Sequence, residues 1–241
     1  MHHSKTWLDI RLIGANVLFE NNYLFLHKND YRFSRLLNPG YAWPVHREPY
    51  VFEERFLYRF DNNRLKSAFV AAETGGPGVM MIWKNHAFAV TTAFRNVISI
   101  RNMPVDIANF AWLGLSYTPQ QNIRFDSRMP VKIAALSWAE IGLSYANKWY
   151  LKGINALSAG VTVKRLMGTG GFYFYAGNLD YTVPDDTTIL IHNMRATAGF
   201  ALPNDYQDNG FSLDPLFKGG GFGIDLGFTF QIGRASCRER V

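Results

Sequence analysis

Side chains able to do chemistry are plentiful in this chain, but their spacing assembles few reactive groups. The histidines His2, His3, His27, His46, His86 and His192 follow no ligand spacing of the HExxH kind, and the sole cysteine is Cys237. A zinc site of either histidine or thiolate type therefore lacks its ligands, and we expect no metal and no cofactor. Adjacent carboxylates occur at Glu53-Glu54 and at Asp185-Asp186. Neighbours on an extended strand point to opposite faces, and Asp185 follows Pro184, so the second pair reads as turn chemistry and not as an acid–base couple. The glycines between 168 and 171 and at 219–221 do not open a helix after a strand, as a phosphate loop must, and no GxSxG nucleophile elbow is present. The expectation is a protein without enzymatic activity.

More informative are four charged residues set among apolar neighbours: Glu140, Lys164, Arg195 and Asp225. Each falls in the polar phase of a period-two alternation. Asp225 lies in GGGFGIDLGFTF (219–230), where Phe222, Ile224, Leu226, Phe228 and Phe230 alternate with Gly223, Asp225, Gly227 and Thr229. Glu140 precedes Ile141, Leu143 and Tyr145; Lys164 closes the series Leu157, Ala159, Val161, Val163; Arg195 follows Met194 in a series running to Leu202. Such segments are strands with one apolar and one polar face. They reach the roughly 9 to 11 residues that a tilted strand needs to cross a bilayer. In a closed barrel the four charges would face the lumen, paired as structural charges or setting the selectivity of a pore.

The rest of the chain must position these strands. Residues 7–19 alternate as Leu8, Ile10, Leu12 and then change phase to Ile13, Ala15, Val17 and Phe19, which predicts a bulge near Gly14. Residues 20–60, with Pro39, Pro44 and Pro49, read as a long loop. From Asn63, the spacing of Leu65, Ala68, Phe69 and Ala72 predicts a short helix ended by Gly75 and Pro77. A hairpin turning through Lys84 and Asn85 follows, and 104–114 predicts a second short helix, with Pro104 in its first turn and Asp106 favouring its N-terminus. The glycines from Gly168 to Gly171 read as a turn into FYFYAG. About eight segments are strand candidates, with Trp138, Tyr145, Trp149, Tyr150, Phe172 and Tyr173 collecting near their ends, as in interfacial girdles.

Composition agrees with an all-β chain. It is 15% aromatic, and no run approaches the roughly 18 apolar residues of a spanning helix. The last ten residues, IGRASCRERV (232–241), match letter for letter the translation of a common short-read sequencing adapter. We therefore expect 1–231 to be a partial barrel domain, truncated at both ends, and 232–241 to be a non-native tail. Without that tail 22 basic residues face 18 acidic ones, a formal charge of +4 instead of +6. The excess forms no cluster, so no nucleic-acid partner is expected.

KGGGFGIDLGFTF, MMIWKNHAFAVTTAFR and YANKWYLKGINALSAGVTVKRLMGTGGFYF together resemble an uncharacterised outer-membrane β-barrel family of Bacteroidetes-type Gram-negative bacteria. The resemblance spans most of residues 4–230. Members often carry a signal peptide and an Asn-Pro-Ala stretch before the first strand, neither found in this sequence, and sometimes an OmpA-like peptidoglycan-binding domain after the barrel. The resemblance implies an antiparallel transmembrane β-barrel in the cell outer membrane, with lipid as its partner and peptidoglycan or other envelope proteins engaged through regions outside this chain. It carries no catalytic residues to transfer. The expected role is an envelope scaffold or a transport or secretion accessory. The alternatives are a passive or substrate-selective pore, and a soluble β-sandwich binding carbohydrate through exposed aromatics.

Overall fold

The computed structural model describes residues 7–27, 45–46, 56–60, 62–150, 156–201, 217 and 219–231. The prolines of the expected loop, Glu53-Glu54 and the 232–241 tail lie outside them. The described chain is mostly strand, with one α-helix. In order it forms β1 (Leu8–Arg11), β2 (Gly14–Asn21), β3 (Leu24–Leu26), β4 (Val45–His46), β5 (Phe56–Arg59), β6 (Lys66–Trp83) and β7 (His86–Met103). Helix α1 (Val105–Leu113) and a 3-10 turn (Thr118–Gln120) come next, then β8 (Arg124–Ser127), β9 (Val131–Tyr150), β10 (Ala156–Thr182), β11 (Leu190–Ala201) and β12 (Gly219–Gln231).

Nine of these strands make one antiparallel sheet, and β3, β5 and β4 make a small second one. Registers reduce the large sheet to a plain meander. β1 and β2 lie end to end along β6, with Arg11 opposite Gly78 and Gly14 opposite Gly75. β8 and β9 lie end to end along one side of β10, and β11 and β12 along the other. The courses therefore follow chain order: β1–β2, β6, β7, β8–β9, β10, β11–β12. Among the described residues β1–β2 and β11–β12 pair with nothing on their outer sides, so the sheet is open and not closed into a barrel.

The hairpin through Lys84 and Asn85 forms as expected, and Lys84 takes the left-handed φ of 54° that a two-residue turn imposes. Its strands are longer than the alternation suggested, because β6 takes in the stretch expected as a helix. Spacing such as Leu65, Ala68, Phe69, Ala72 fits a helix, but alanine satisfies either period. Pairing decides: β6 is bonded by β2 on one side and β7 on the other. Gly75 and Pro77 do not end it, because a register shift between Gly75 and Gly78 places the proline in a bulge, where its missing N–H breaks no ladder bond. Thr92 Oγ1 donates to the Pro77 carbonyl at 2.8 Å.

This bulge also explains the phase change in the first strand. Instead of an extra residue near Gly14, Leu12 falls opposite Pro77 and Ile13 opposite Gly76, and β1 and β2 keep one register with β6. The interruption is shared by two strands. Nor do Gly168 to Gly171 turn the chain; they lie inside β10, at a bulge between Gly168 and Gly170 relative to β9. Consequently Trp138, Phe172 and Tyr173 sit in strand interiors, away from the ends where a girdle was expected.

Helix α1 does form at 105–113, with Pro104 at its N-cap. It packs on the sheet through a buried cluster, Phe110, Tyr181 and Val183, with Ile107, Tyr117, Phe125 and Leu179 packed around them. Asn109 is a polar hub beneath it. Tyr23 Oη and Arg59 Nη1 donate to its Oδ1 at 2.8 and 2.9 Å, and its Nδ2 donates to Gln120 Oε1 at 2.6 Å. These bonds tie Tyr23, just before β3, with β5 and the 3-10 turn to the helix. In the connection beyond β10, Asp185 Oδ1 accepts from the backbone N–H and the hydroxyl of Thr187, the turn chemistry expected there. These bonds hold its carboxyl below the usual carboxylate range. A carboxyl with a depressed folded pKa supports structure above its unfolded value, near 3.9, and loses that support as pH falls through the folded one. Carboxyl-carbon NMR should show Asp185 titrating below the value of a free aspartate side chain, and the Thr187 amide shift should follow the same midpoint.

Candidate functional site

Cross-strand partners share a face of the sheet, so the registers sort the side chains into two sets. In the half nearer the Lys84–Asn85 turn the sets differ sharply. One side carries Ala87, Ala89, Thr91, Gly142, Ser144, Ala146, Gly160 and Thr162; Ala87 is 0% exposed and Ser144 8%. The other carries Trp83, Phe88, Val90, Leu143, Val163, Ile224 and Phe228, with Leu143 60% and Phe228 76% exposed. This is the reverse of a soluble sheet: the small residues are enclosed and the large apolar ones are bare.

Polar side chains, His86, Thr92 and Asn147 among them, also stand on the apolar side. Ser137 Oγ donates to Asn96 Oδ1 at 2.6 Å, and the Arg165 guanidinium stacks 4.7 Å from the ring centre of Phe222. Beyond the β10 bulge the segregation weakens, since Leu136 and Tyr173, on the small-residue side, are 54% and 52% exposed.

On the small-residue side lies a chain of alternating charges. Glu73 on β6 meets Arg95 on β7 at 3.2 Å, and the same Arg95 nitrogen meets Glu140 on β9 at 3.1 Å. Glu140 meets Lys164 on β10 at 3.9 Å, and Lys164 meets Asp225 on β12 at 2.6 Å. The signs run minus, plus, minus, plus, minus across five courses. Glu140, whose side chain is 10% exposed, is its most enclosed member, while Asp225, on the edge strand, is 60% exposed. Small neighbours make room for it: a Cβ on Gly142 would come within 2.8 Å of Thr91 Oγ1, and one on Gly160 within 3.3 Å of the Tyr145 carbonyl. Ser144 and Thr162 hydroxyls bond each other at 2.7 Å, beside a furrow of about 300 Å³ between β9, β10 and β12.

The ladder is oblique. Lys164 stands opposite Gly142 and Gly223, two residues from Glu140 and from Asp225; Glu140 stands opposite Ala93, two from Arg95; Arg95 stands opposite Glu73. With roughly 3.3 Å per residue and 4.8 Å between strands, six residues of stagger over four steps incline the line about 45° to the hydrogen-bond direction. Barrel strands tilt by roughly 35–45°, so such a line runs at nearly constant height around a tilted sheet.

Of the four residues singled out from sequence, the structure joins Glu140, Lys164 and Asp225. It leaves out Arg195, which stands on β11 opposite Asn178, past a second irregularity in β10, and has no ion pair among the described residues. Glu73 and Arg95 were missed. Glu73 lay in the stretch taken for a helix, and Arg95 ended the hairpin segment, so only the register reveals that both share the face of Glu140. Among the described residues no three His, Cys, Asp or Glu side chains converge on a metal position.

Fold and site together define an all-β protein built on a wide antiparallel meander, with large apolar side chains on one face and an ion-pair ladder on the other. Residues 1–238 match the family of unknown function DUF5723, and the chain belongs to that family. No curated protein and no solved structure matches it.

Proposed function

We propose that the sheet is part of the wall of a non-enzymatic transmembrane β-barrel in a cell envelope, the outer membrane of a Gram-negative bacterium, serving as a scaffold or as a transport or secretion accessory. The observation that carries this reading is the inverted burial: bare Phe222, Ile224, Leu226 and Phe228 on one side, enclosed Ala, Gly, Ser and the charge ladder on the other. Water penalises that arrangement and hydrocarbon favours it, at about 25 cal/mol per Å² of apolar surface. His86 to Arg95, from the turn to the ladder, is about the length of one tilted crossing. Arg165 is the exception on that side, and its stacking on Phe222 lets the charge reach outward along the strand. Mutual pairing of the ladder charges supports a bracing role over a selectivity filter, whose charges face the permeant ion. A sandwich would need a second sheet over the apolar face, and the one described has strands of four residues at most.

The test is tryptophan quenching. The full chain is refolded into vesicles whose acyl chains carry bromine, with Trp83 or Trp138 retained singly. Trp83, 63% exposed on the apolar side, should lose most of its emission. Trp138, on the ladder side opposite Arg95, should keep its own. Equal quenching of both, or protein left in the supernatant without vesicles, would end the membrane reading.

A further inference from the structure

One cation of the sheet stands apart from the rest. On β7, β9, β10 and β12 the cations Arg95, Arg101, Lys132, Lys148 and Lys164 all share the ladder side, and Arg165 alone lies on the apolar one. It is exposed, and among the described residues no carboxylate pairs with it and it donates no hydrogen bond; what holds it is the stacking on Phe222. No further strand can come abreast of it to supply a partner. β9 and β12 already flank it, with Ile141 on one side and Phe222 on the other.

The height of Arg165 in the wall defines its surroundings. From His86 to Arg95, at roughly 3.3 Å per residue and a tilt of roughly 35–45°, the sheet rises about 21 to 24 Å. The apolar band of a membrane barrel is about 25 Å tall, so with the Lys84–Asn85 turn at one rim the ladder marks the other. Arg165 adjoins Lys164 of the ladder, one residue farther from the turn, as Asn96 adjoins Arg95. On β7 and β9 the polar residues of the apolar side, Thr92 apart, collect at these same two heights. His86 and Asn147 lie by the turn, and Asn96 with its partner Ser137 lies by the ladder.

The side chain is also aimed off the band. A Cβ on Gly220 would come within 2.9 Å of Arg165 Nη2, and Gly220 lies two residues from Phe222 on the side away from the turn. The guanidinium therefore reaches toward headgroup level, over a glycine that leaves it room.

We propose that Arg165 is a docking point for the anionic phosphate of a membrane lipid seated against the wall at the ladder rim. A free guanidinium pairs with a phosphate through two parallel hydrogen bonds. At a membrane surface one such cation enriches anionic lipid about fivefold. The proposal rests on the membrane reading above and adds to it the chemistry of the lipid.

The experiment puts the full chain, with Phe222→Trp as its one tryptophan, into phosphatidylcholine vesicles. The indole keeps the aromatic face on which the guanidinium stacks. A minor share of the lipid carries bromine on its acyl chains, either as phosphatidic acid or as phosphatidylcholine. Brominated phosphatidic acid should quench as strongly as brominated phosphatidylcholine at about one-fifth of its mole fraction. Arg165→Gln should bring the two lipids to parity, and Arg165→Lys should keep part of the preference. If the reporter chain does not fold, native mass spectrometry of the unaltered chain and of Arg165→Gln reads the same difference as phosphatidic acid retained. Equal quenching by both lipids with Arg165 in place overturns the proposal and leaves the wall standing, whereas quenching by neither ends the membrane reading along with it. A preference that survives Arg165→Gln, or that inorganic phosphate removes at matched ionic strength, also overturns it, the second by assigning the arginine to a free anion.

Discussion

Arg95→Met should cost more stability than any other single change in the ladder, about 2 kcal/mol in denaturant unfolding from micelles. Among the described residues Arg95 is the only cation touching Glu73 and the nearer of the two touching Glu140. Its removal strands an enclosed carboxylate whose remaining partner, Lys164, is 3.9 Å away and also held by Asp225. Breaking a fully buried pair costs roughly 3–5 kcal/mol. The lower figure follows because the Arg95 and Glu73 side chains keep 34% of their surface exposed and are partly screened. The double variant Arg95→Met with Glu140→Leu should recover much of the loss, since it removes the stranded charge with its partner. Glu73→Gln should cost well under 1 kcal/mol, as exposed pairs do. A loss as large for Glu73→Gln as for Arg95→Met, or no recovery in the double variant, would show that the ladder is not a coupled unit.

Phe110→Ala should have a larger effect still, of a different kind. Phe110 is 8% exposed and packs with Tyr181 and Val183 at the end of β10, and truncating such a phenylalanine costs about 3–5 kcal/mol. The loss should be local. α1 is attached through this cluster and the Asn109 hub, whereas β7, β9 and β10 are held by uninterrupted ladders along 86–101 and 156–168. Hydrogen exchange should therefore accelerate at the Ala108 and Gly114 amides, which bond Pro104 and Phe110 carbonyls, while protection in β7 and β9 stays unchanged. Uniform acceleration across the sheet would mean that the cap and the sheet unfold together.

These two regions differ in how far the sequence alone reached. Period-two alternation is written directly in residues 141–145, 157–163 and 222–230, because a strand with unlike faces needs only its own residues to declare itself. The hairpin at Lys84–Asn85 and helix α1 are equally local, one fixed by a two-residue turn, the other by Pro104 and its apolar spacing. From that information came the all-β class and three of the five ladder residues. The ladder itself could not be read, because it depends on which residues stand abreast on strands far apart in sequence. A shift of one residue in any course would have put Glu140 or Lys164 on the opposite face. The same non-local pairing turned the alanine-rich 66–75 into strand, moved the expected bulge from Gly14 into β6 opposite β7, drew Gly168 to Gly171 into β10 and left Arg195 apart. Sequence settled the segments whose own alternation declares them, since a two-faced pattern is a property of a segment; tertiary structure settled the remaining strands and which charges meet, since pairing and register are properties of pairs.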